Sequence, residues 1–324
     1  MKRIAIVGCG NIGSRHLQAI AKLPFQCRVQ IIEPSETAQR LAKSRLAEVP
    51  GTTSNKDFLW NESIRDLGSG SDLTIVATSS VGRVEIMNEL FELDHSRFLI
   101  EKMVCQSAKE YGILTRRMQA SNAKGWVNVP RRYFGSYQDI RQHFRGNSPL
   151  QMSVVGGNEG LGSNAIHFID LFCWLCNEPK LELSGDLLEK QLFPNRRGEH
   201  LMEFAGTIAG ASAGGSSLNI TFLSSGDRMP LIINICSESA HIIVNETEGR
   251  LFRLTADTRP LAEEFRTEFV SDTTTRIADE ILNQDACALP TVQESYFAHT
   301  ELFRIFNAHI KKLTNEEREL CPIT

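Results

Sequence analysis

The first thirty-three residues constrain this chain more than any other stretch of its 324. Lys2 and Arg3 lead into an apolar run over 4–7, and then into the turn Gly8-Cys9-Gly10-Asn11-Ile12-Gly13. The pattern predicts a helix from there to about Lys22, a second strand over 29–32, and an acid, Glu33, where that strand ends. Strand, glycine turn, helix, strand and acid in this order make a cradle for a dinucleotide. The glycines admit backbone amides to a pyrophosphate, and the helix N-terminus turns a partial positive charge towards it. A carboxylate at the end of the second strand accepts both hydroxyls of an adenosine ribose and repels a 2′-phosphate. The expected cofactor is therefore NAD rather than NADP. Gly8, Gly10, Asn11, Ile12, Gly13 and Glu33 are the first candidate cofactor-binding residues.

Alternation of strands and helices continues beyond Glu33. Ser35 is placed to cap a helix over 36–45. A weaker segment over 49–71 carries a helix candidate over 56–66. A buried strand over 73–77 ends on Thr78, Ser79 and Ser80, and a helix over 82–93, a strand over 97–100, a helix over 107–120 and a strand over 125–129 follow. This is the pattern of a doubly wound parallel sheet. Near residue 130 the texture changes. After a helical stretch over 137–144, strands are expected over 150–155, 180–188, 201–208, 216–222, 231–236 and 241–244, joined by Gly/Ser/Asn/Asp turns. One strong helix over 163–176 interrupts them, and another over 292–311 closes the chain. The expected fold class is α/β. An N-terminal Rossmann domain over 1–129 precedes an α+β domain over 130–324 built on an open, mostly antiparallel or mixed sheet, with a ligand cleft between them.

Composition excludes several classes of function. Net charge is −4 and the adjacent basic pairs are scattered, so neither nucleic acid nor a membrane surface is an expected partner. No apolar run approaches the about 18 residues of a membrane span, and the first apolar run is too short for a signal-peptide core, so the expected compartment is the cytoplasm. The eight cysteines read as reduced thiols. Cys173 and Cys176 form a C-x-x-C within an apolar stretch, with no second Cys or His pair at zinc spacing, so they read as buried small hydrophobes and no metal is expected.

In a Rossmann domain ligands lie at the C-terminal ends of the strands. Thr78 and Ser79 stand at one such end, small enough to border a cofactor; Glu101 and Lys102 stand at the next, and Asn128 at the one after. A lysine there, beside a nicotinamide, can polarise a substrate hydroxyl or hold its departing proton. Position alone favours the plainer reading of a surface Glu-Lys pair. His167 lies on the helix over 163–176, with Ser163, Asn164 and Asp170 at i−4, i−3 and i+3 on the same face. Asp170 is placed to orient the imidazole while His167 takes a hydroxyl proton. Taken alone, its apolar neighbours favour the plainer reading of a core histidine. Arg83, at a helix start, is either solvated or facing a substrate anion.

Together these parts resemble the Gfo/Idh/MocA family, that is, glucose–fructose oxidoreductase, inositol dehydrogenase and their relatives. His16 follows the glycine turn in the spacing G-x-G-x-x-G-x-x-H, and Glu101-Lys102 is similar to the family's Glu-Lys-Pro element. Asn128 with Arg131 is similar to Asn-x-x-Arg, His167 with Asp170 to His-x-x-Asp, and Pro290, Thr291 and Ser295 to Pro-Thr-x-x-x-Ser. The likeness spans nearly the whole chain and is faint over 180–285. It implies hydride transfer between a nicotinamide cofactor and a hydroxyl or carbonyl of a sugar, polyol or sugar nucleotide. Lys102 and His167 would be the catalytic pair, with Thr78, Ser79 and Glu101 at the cofactor and Asn128, Ser163, Asn164 and Asp170 at the substrate.

Two departures stand out. Met103 replaces the proline after the lysine, which leaves φ unrestrained there. Ser163 stands where many members carry an aspartate; it can hydrogen-bond a hydroxyl but cannot act as a base near neutral pH. Both departures also suit a cofactor-binding regulatory or partner protein of the same fold without net dehydrogenase activity. Redox-neutral chemistry that recycles bound NAD is a further option within the family. An open-faced sheet points to a homodimer or homotetramer.

Overall fold

The computed structural model describes residues 1–50, 55–144, 149–224, 229–254 and 262–324. They form two compact units. The first comprises Met1–Cys105, Lys109–Pro130 and Glu268–Gln293, and the second Gln106–Ala108, Arg131–Thr267 and Glu294–Thr324. A single cut after residue 129 assigns 268–293 to the second domain, whereas in the structure this stretch packs within the first unit.

The first unit is built on strands β1 (Lys2–Val7), β2 (Cys27–Ile32), β3 (Lys56–Asn61), β4 (Leu73–Val76), β5 (Arg97–Glu101) and β6 (Lys124–Asn128). They form one sheet in the order β3-β2-β1-β4-β5-β6, parallel throughout. Buried on both faces, the central strands read as continuous apolar runs, and Ile4, Ile6, Val29, Ile31, Leu73, Ile75, Phe98, Leu99 and Ile100 form the core. The helices are α1 (Gly13–Ala21), α2 (Glu36–Ala47), α3 (Arg83–Glu92) and α4 (Ala108–Ala120). Ser35 caps α2 by accepting from the Ala38 N–H, as its position predicts. The strand order reverses between β1 and β4, and in open α/β sheets the crevice at such a reversal is where ligands bind.

Two parts of this unit differ from the sequence reading. Of the segment over 49–71, residues 51–54 lie outside the described residues, and the helix expected over 56–66 is instead β3 followed by a single 3₁₀ turn at Ile64–Asp66. β3 is an edge strand, so its charged and polar residues imitate a solvated helix. Pairing with β2 and the β preference of Phe58 and Trp60 settle the matter. The helix expected over 137–144 is α5 (Gly135–His143) of the second unit, whereas α7 (Val270–Gln284), which packs on α1, lies where no helix is expected. Its run Thr273-Thr274-Thr275 is β-branched and hides the helical stripe of Ile277, Ala278, Ile281 and Leu282.

The second unit holds an eight-stranded sheet, with α5 (Gly135–His143), α6 (Leu161–Cys176) and nearly all of α8 (Val292–Thr314). Its strands are β7 (Gln151–Gly157), β8 (Glu182–Leu188), β11 (Gly206–Ala211), β12 (Ser217–Leu223), β13 (Ile232–Cys236), β14 (His241–Asn245), β15 (Arg250–Leu254) and β16 (Ala262–Glu264). They run in the order β16-β15-β14-β13-β7-β12-β11-β8; only β7 and β12 pair in parallel. α6 packs on β12. The single strand expected over 201–208 is two. β10 (Gly198–Glu203) pairs with β9 (Phe193–Asn195) in a separate hairpin, and Gly206, at φ +101°, turns the chain into β11.

Among the described residues no helix is long and apolar enough to cross a membrane. All eight cysteines are free thiols, and Cys173 and Cys176 are half-buried rather than fully buried.

Candidate active site

At the end of β1 the chain turns at Gly8, whose φ of +83° is open to glycine. A Cβ there would also lie 2.9 Å from the Thr78 backbone nitrogen, and one at Gly13 would overlap the Gly8 carbonyl oxygen. Gly13 thus lets α1 start against the strand. At Gly10 a Cβ would meet nothing within 4 Å, so the turn is open on that side. No side chain caps the α1 N-terminus that follows. Its dipole is directed at whatever lies over the turn. Glu33 is buried, and its two oxygens accept from the Cys9 N–H at 2.7 Å and the Ser35 N–H at 2.9 Å. The carboxylate is therefore held by main chain, and it helps push the buried Cys9 thiol up to about 12, after burial itself. Gly8, Gly10, Glu33, Thr78 and Ser79 line one cavity of about 510 Å³. Of the nine residues expected at the cofactor these five meet here, whereas Asn11, Ile12, Gly13 and Glu101 are not among the lining residues. Glu62 and Glu89 border the same cavity.

The ends of β5 and β6 carry a buried network. Glu101 Oε1 lies 2.9 Å from His16 Nε2 and also accepts from the Asn128 side-chain amide. His16 Nδ1 is 2.9 Å from the Thr274 hydroxyl of α7. Burial alone would raise the Glu101 carboxyl, but the His16 and Asn128 hydrogen bonds and the charges of His16 and Lys102 hold it below the usual range. Glu101 is thus tied to the scaffold beside the next residue, Lys102, which is itself buried. Asn128 Oδ1 is buried with no hydrogen-bond partner among the described residues, an acceptor left over at this strand end. The Lys102–Met103 peptide is cis. Arg83 is neither solvated nor facing a substrate anion: at 1% exposure it donates to the carbonyls of Thr78, Glu101 and Met103.

In the second unit α6 begins at Gly160, at φ +77°, and no side chain of the local sequence caps it. The capping group comes from β10. Glu203 Oε1 accepts from the Ser163 N–H at 3.2 Å, and Oε2 from the Ser163 hydroxyl at 2.6 Å. A Cβ at Gly160 would overlap this carboxylate, and one at Gly162 would stand 2.7 Å from it. Burial raises the Glu203 carboxyl, against the opposing pull of Ser163 and nearby backbone N–H groups. Ser163, Asn164, Asn195, Arg197 and Glu203 line a cavity of about 430 Å³. The Asn164 amide nitrogen donates to the Glu159 and Gly160 carbonyls, which directs it into the turn. Ser163, Asn164 and His167 share the half-exposed stripe of a helix otherwise buried over its first three turns. Asp170, which the i+3 spacing points towards His167, gives both oxygens to the Arg132 guanidinium. Burial pushes its carboxyl up to about 6 even against that charge. Arg131 binds Glu246 through two nitrogens, at 3.0 and 2.9 Å, and lies over the Phe168 ring.

No protein-family profile matches the chain, and no curated protein matches its sequence. Solved structures do match its fold. An oxidoreductase from Agrobacterium radiobacter in complex with NAD+, L-tartaric acid and magnesium superposes with a TM-score of 0.71 at 12% identity, covering 97% of this chain and 96% of that one. UDP-N-acetylglucosamine 3-dehydrogenase GnnA from Acidithiobacillus ferrooxidans gives 0.71 at 13% identity, covering 96% and 98%. Biliverdin reductase from Synechocystis sp. PCC 6803, in complex with biliverdin and NADP+, gives 0.68 at 12% identity, covering 94% and 97%. The chain has the fold of these oxidoreductases.

Within this oxidoreductase fold three residues escaped the sequence reading of the site. Thr274 lies on the unforeseen helix α7. Glu203 lies forty residues from the serine it binds. Arg83 carries no local signal of the three carbonyls it meets. A fourth, His16, carries a signal in its fixed distance from the glycine turn.

Proposed function

We propose that the protein is a nicotinamide-dependent oxidoreductase acting on a hydroxyl or carbonyl of a small polyhydroxylated molecule, a sugar, polyol or sugar nucleotide. The observation that carries this reading is the cavity over the glycine turn, with Glu33 preset by two backbone N–H groups at its edge. Its features fit the cofactor: an open Gly10, an uncapped helix N-terminus for the diphosphate, and a carboxylate for a ribose diol. Glu33 leaves no room for a 2′-phosphate charge, and Glu62 and Glu89 add to the repulsion, so NAD is the preferred form. A bound nicotinamide dinucleotide supplies the hydride acceptor or donor.

This chain's own residues do the rest. Lys102 holds the proton of the reacting hydroxyl, its neighbour Glu101 anchored by His16 and Asn128. Asn128 Oδ1, a buried acceptor, is suited to a hydroxyl or amide donor of a ligand. His167, on the half-exposed stripe of α6, is assigned as the second acid–base group. Ser163 and Asn164 on that stripe are assigned to the substrate, while Asp170, one turn on, is taken up by Arg132. Ser163 acts with the Glu203 carboxylate behind it.

The experiment is direct. Polyols, sugars and sugar nucleotides are screened with NAD+ by absorbance at about 340 nm. With a compound that turns over, Lys102→Met lowers kcat at least about a hundredfold while the NAD+ dissociation constant stays within a few-fold. Full turnover by that variant overturns the assignment of Lys102. Tight NAD+ binding with no turnover of any compound favours the cofactor-binding regulatory reading instead.

A further inference from the structure

Arg83 is almost wholly removed from water. A guanidinium in that position is tolerated only where its N–H groups meet acceptors. The acceptors are main-chain carbonyls from two strand ends. One amino nitrogen donates to Thr78 O, and the other to both Glu101 O and Met103 O. Thr78 follows β4, lines the cavity over the glycine turn and abuts Gly8. Glu101 and Met103 are the residues on either side of Lys102. One planar group therefore ties the cavity wall to the chain both before and after the lysine.

We infer that Arg83 is a positioning residue: it fixes the main chain that carries Lys102 against the wall of the nucleotide cavity. The Glu101 side chain is anchored separately by His16 and Asn128, so the strand end is gripped by its side chain and by its carbonyls. Beyond Glu101 that grip passes to Arg83, because Met103 has no ring to restrain its own φ. A planar fork of N–H donors spans carbonyls of two strand ends in one fixed geometry. An ammonium is a point donor on a flexible stem and does not reproduce it. Hydride and proton must leave neighbouring atoms of one substrate, so a lysine free to drift from the cavity wall costs rate without costing cofactor affinity. The inference rests on the proposed role of Lys102.

The test uses the full-length protein saturated with NAD+, as wild type, Arg83→Lys and Arg83→Gln. Amide hydrogen exchange over 101–105 is expected to quicken at least about tenfold in both variants, with exchange over 151–157 unchanged. On the fastest compound of the panel, kcat is expected to fall at least about tenfold, with KM and the NAD+ dissociation constant within about threefold of wild type. The acid limb of the kcat–pH profile is expected to shift in Arg83→Lys, which loss of fold alone does not produce.

Unchanged exchange over 101–105, or exchange that quickens evenly across the first unit, overturns the inference. Should Arg83→Gln fail to fold, Arg83→Lys decides. Wild-type turnover in Arg83→Lys beside an inactive Lys102→Met sinks this inference alone, whereas full turnover in Lys102→Met sinks the reading of the lysine.

Discussion

The two units hold their candidate groups by different means. In the first, main chain does much of the holding, beside the His16–Glu101–Asn128 side-chain network. Glu33 is fixed by two backbone N–H groups, the turn by glycines, and the flanks of Lys102 by carbonyls that Arg83 gathers. In the second, side chains from elsewhere in the sequence do it. Ser163 binds Glu203 forty residues away, Asp170 binds Arg132 at a separation of 38, and Arg131 binds Glu246 at 115. A site made from main chain is written as a short pattern, because turns and strand ends are local. A site made from side-chain pairs is written nowhere in particular, because each partner is an ordinary charged residue until the fold brings the two together.

That contrast can be broken most forcefully at the Arg132–Asp170 pair. Both side chains are largely buried, so Arg132→Met leaves an uncompensated carboxylate and is expected to cost about 3 kcal/mol in urea unfolding. A cost below about 1 kcal/mol would mean that side-chain pairing is not what organises this part of the second unit. Next comes Glu203→Ala, which strips α6 of its cap and Ser163 of its acceptor. A loss of about 1–2 kcal/mol by the same measurement is expected, and no loss would return the cap to water.

In the first unit the corresponding change acts on binding rather than stability. Glu33→Ser should narrow the preference for NAD+ over NADP+ by about tenfold in calorimetric titrations, equal to about 1.4 kcal/mol. Equal affinities in the wild type would remove the premise. The smallest effect concerns pH. The Glu101 carboxyl lies below its ordinary 4.5 in the folded chain, so the folded state binds that proton less readily than the unfolded one. Its stabilising contribution is present above pH 4.5 and is lost as pH falls through the lower folded value. Melting curves of wild type and Glu101→Gln should run parallel above pH 4.5, with the wild type falling faster below it. Curves parallel at all pH values would detach Glu101 from its network.

Much of the first unit was legible for the reason this contrast supplies. The glycine turn, Glu33 and the strand ends at Thr78, Glu101 and Asn128 each follow from periodicity and punctuation in their own short stretch of chain. The errors fall where local preference met a tertiary partner. The segment over 56–61 is polar enough to pass for a helix, and becomes an edge strand because β2 offers it a ladder. α7 is rich in threonine and becomes a helix because α1 buries its apolar stripe and His16 takes up Thr274. Arg83 looked like a solvated helix start. Nothing in its neighbours announces that three carbonyls await it.

By itself the sequence determined the strand–turn–helix unit, the acid at the end of its second strand, and the placement of a lysine at a strand end. Each depends on hydrogen bonds and sterics between residues close in the chain. Tertiary structure alone decided that Asp170 serves Arg132, that Glu203 returns a carboxylate to the serine of α6, and that a buried guanidinium grips the lysine's flanks. Desolvation is the reason. A charge taken out of water must find its partner wherever folding has put one, and that place is set by packing rather than by distance along the chain.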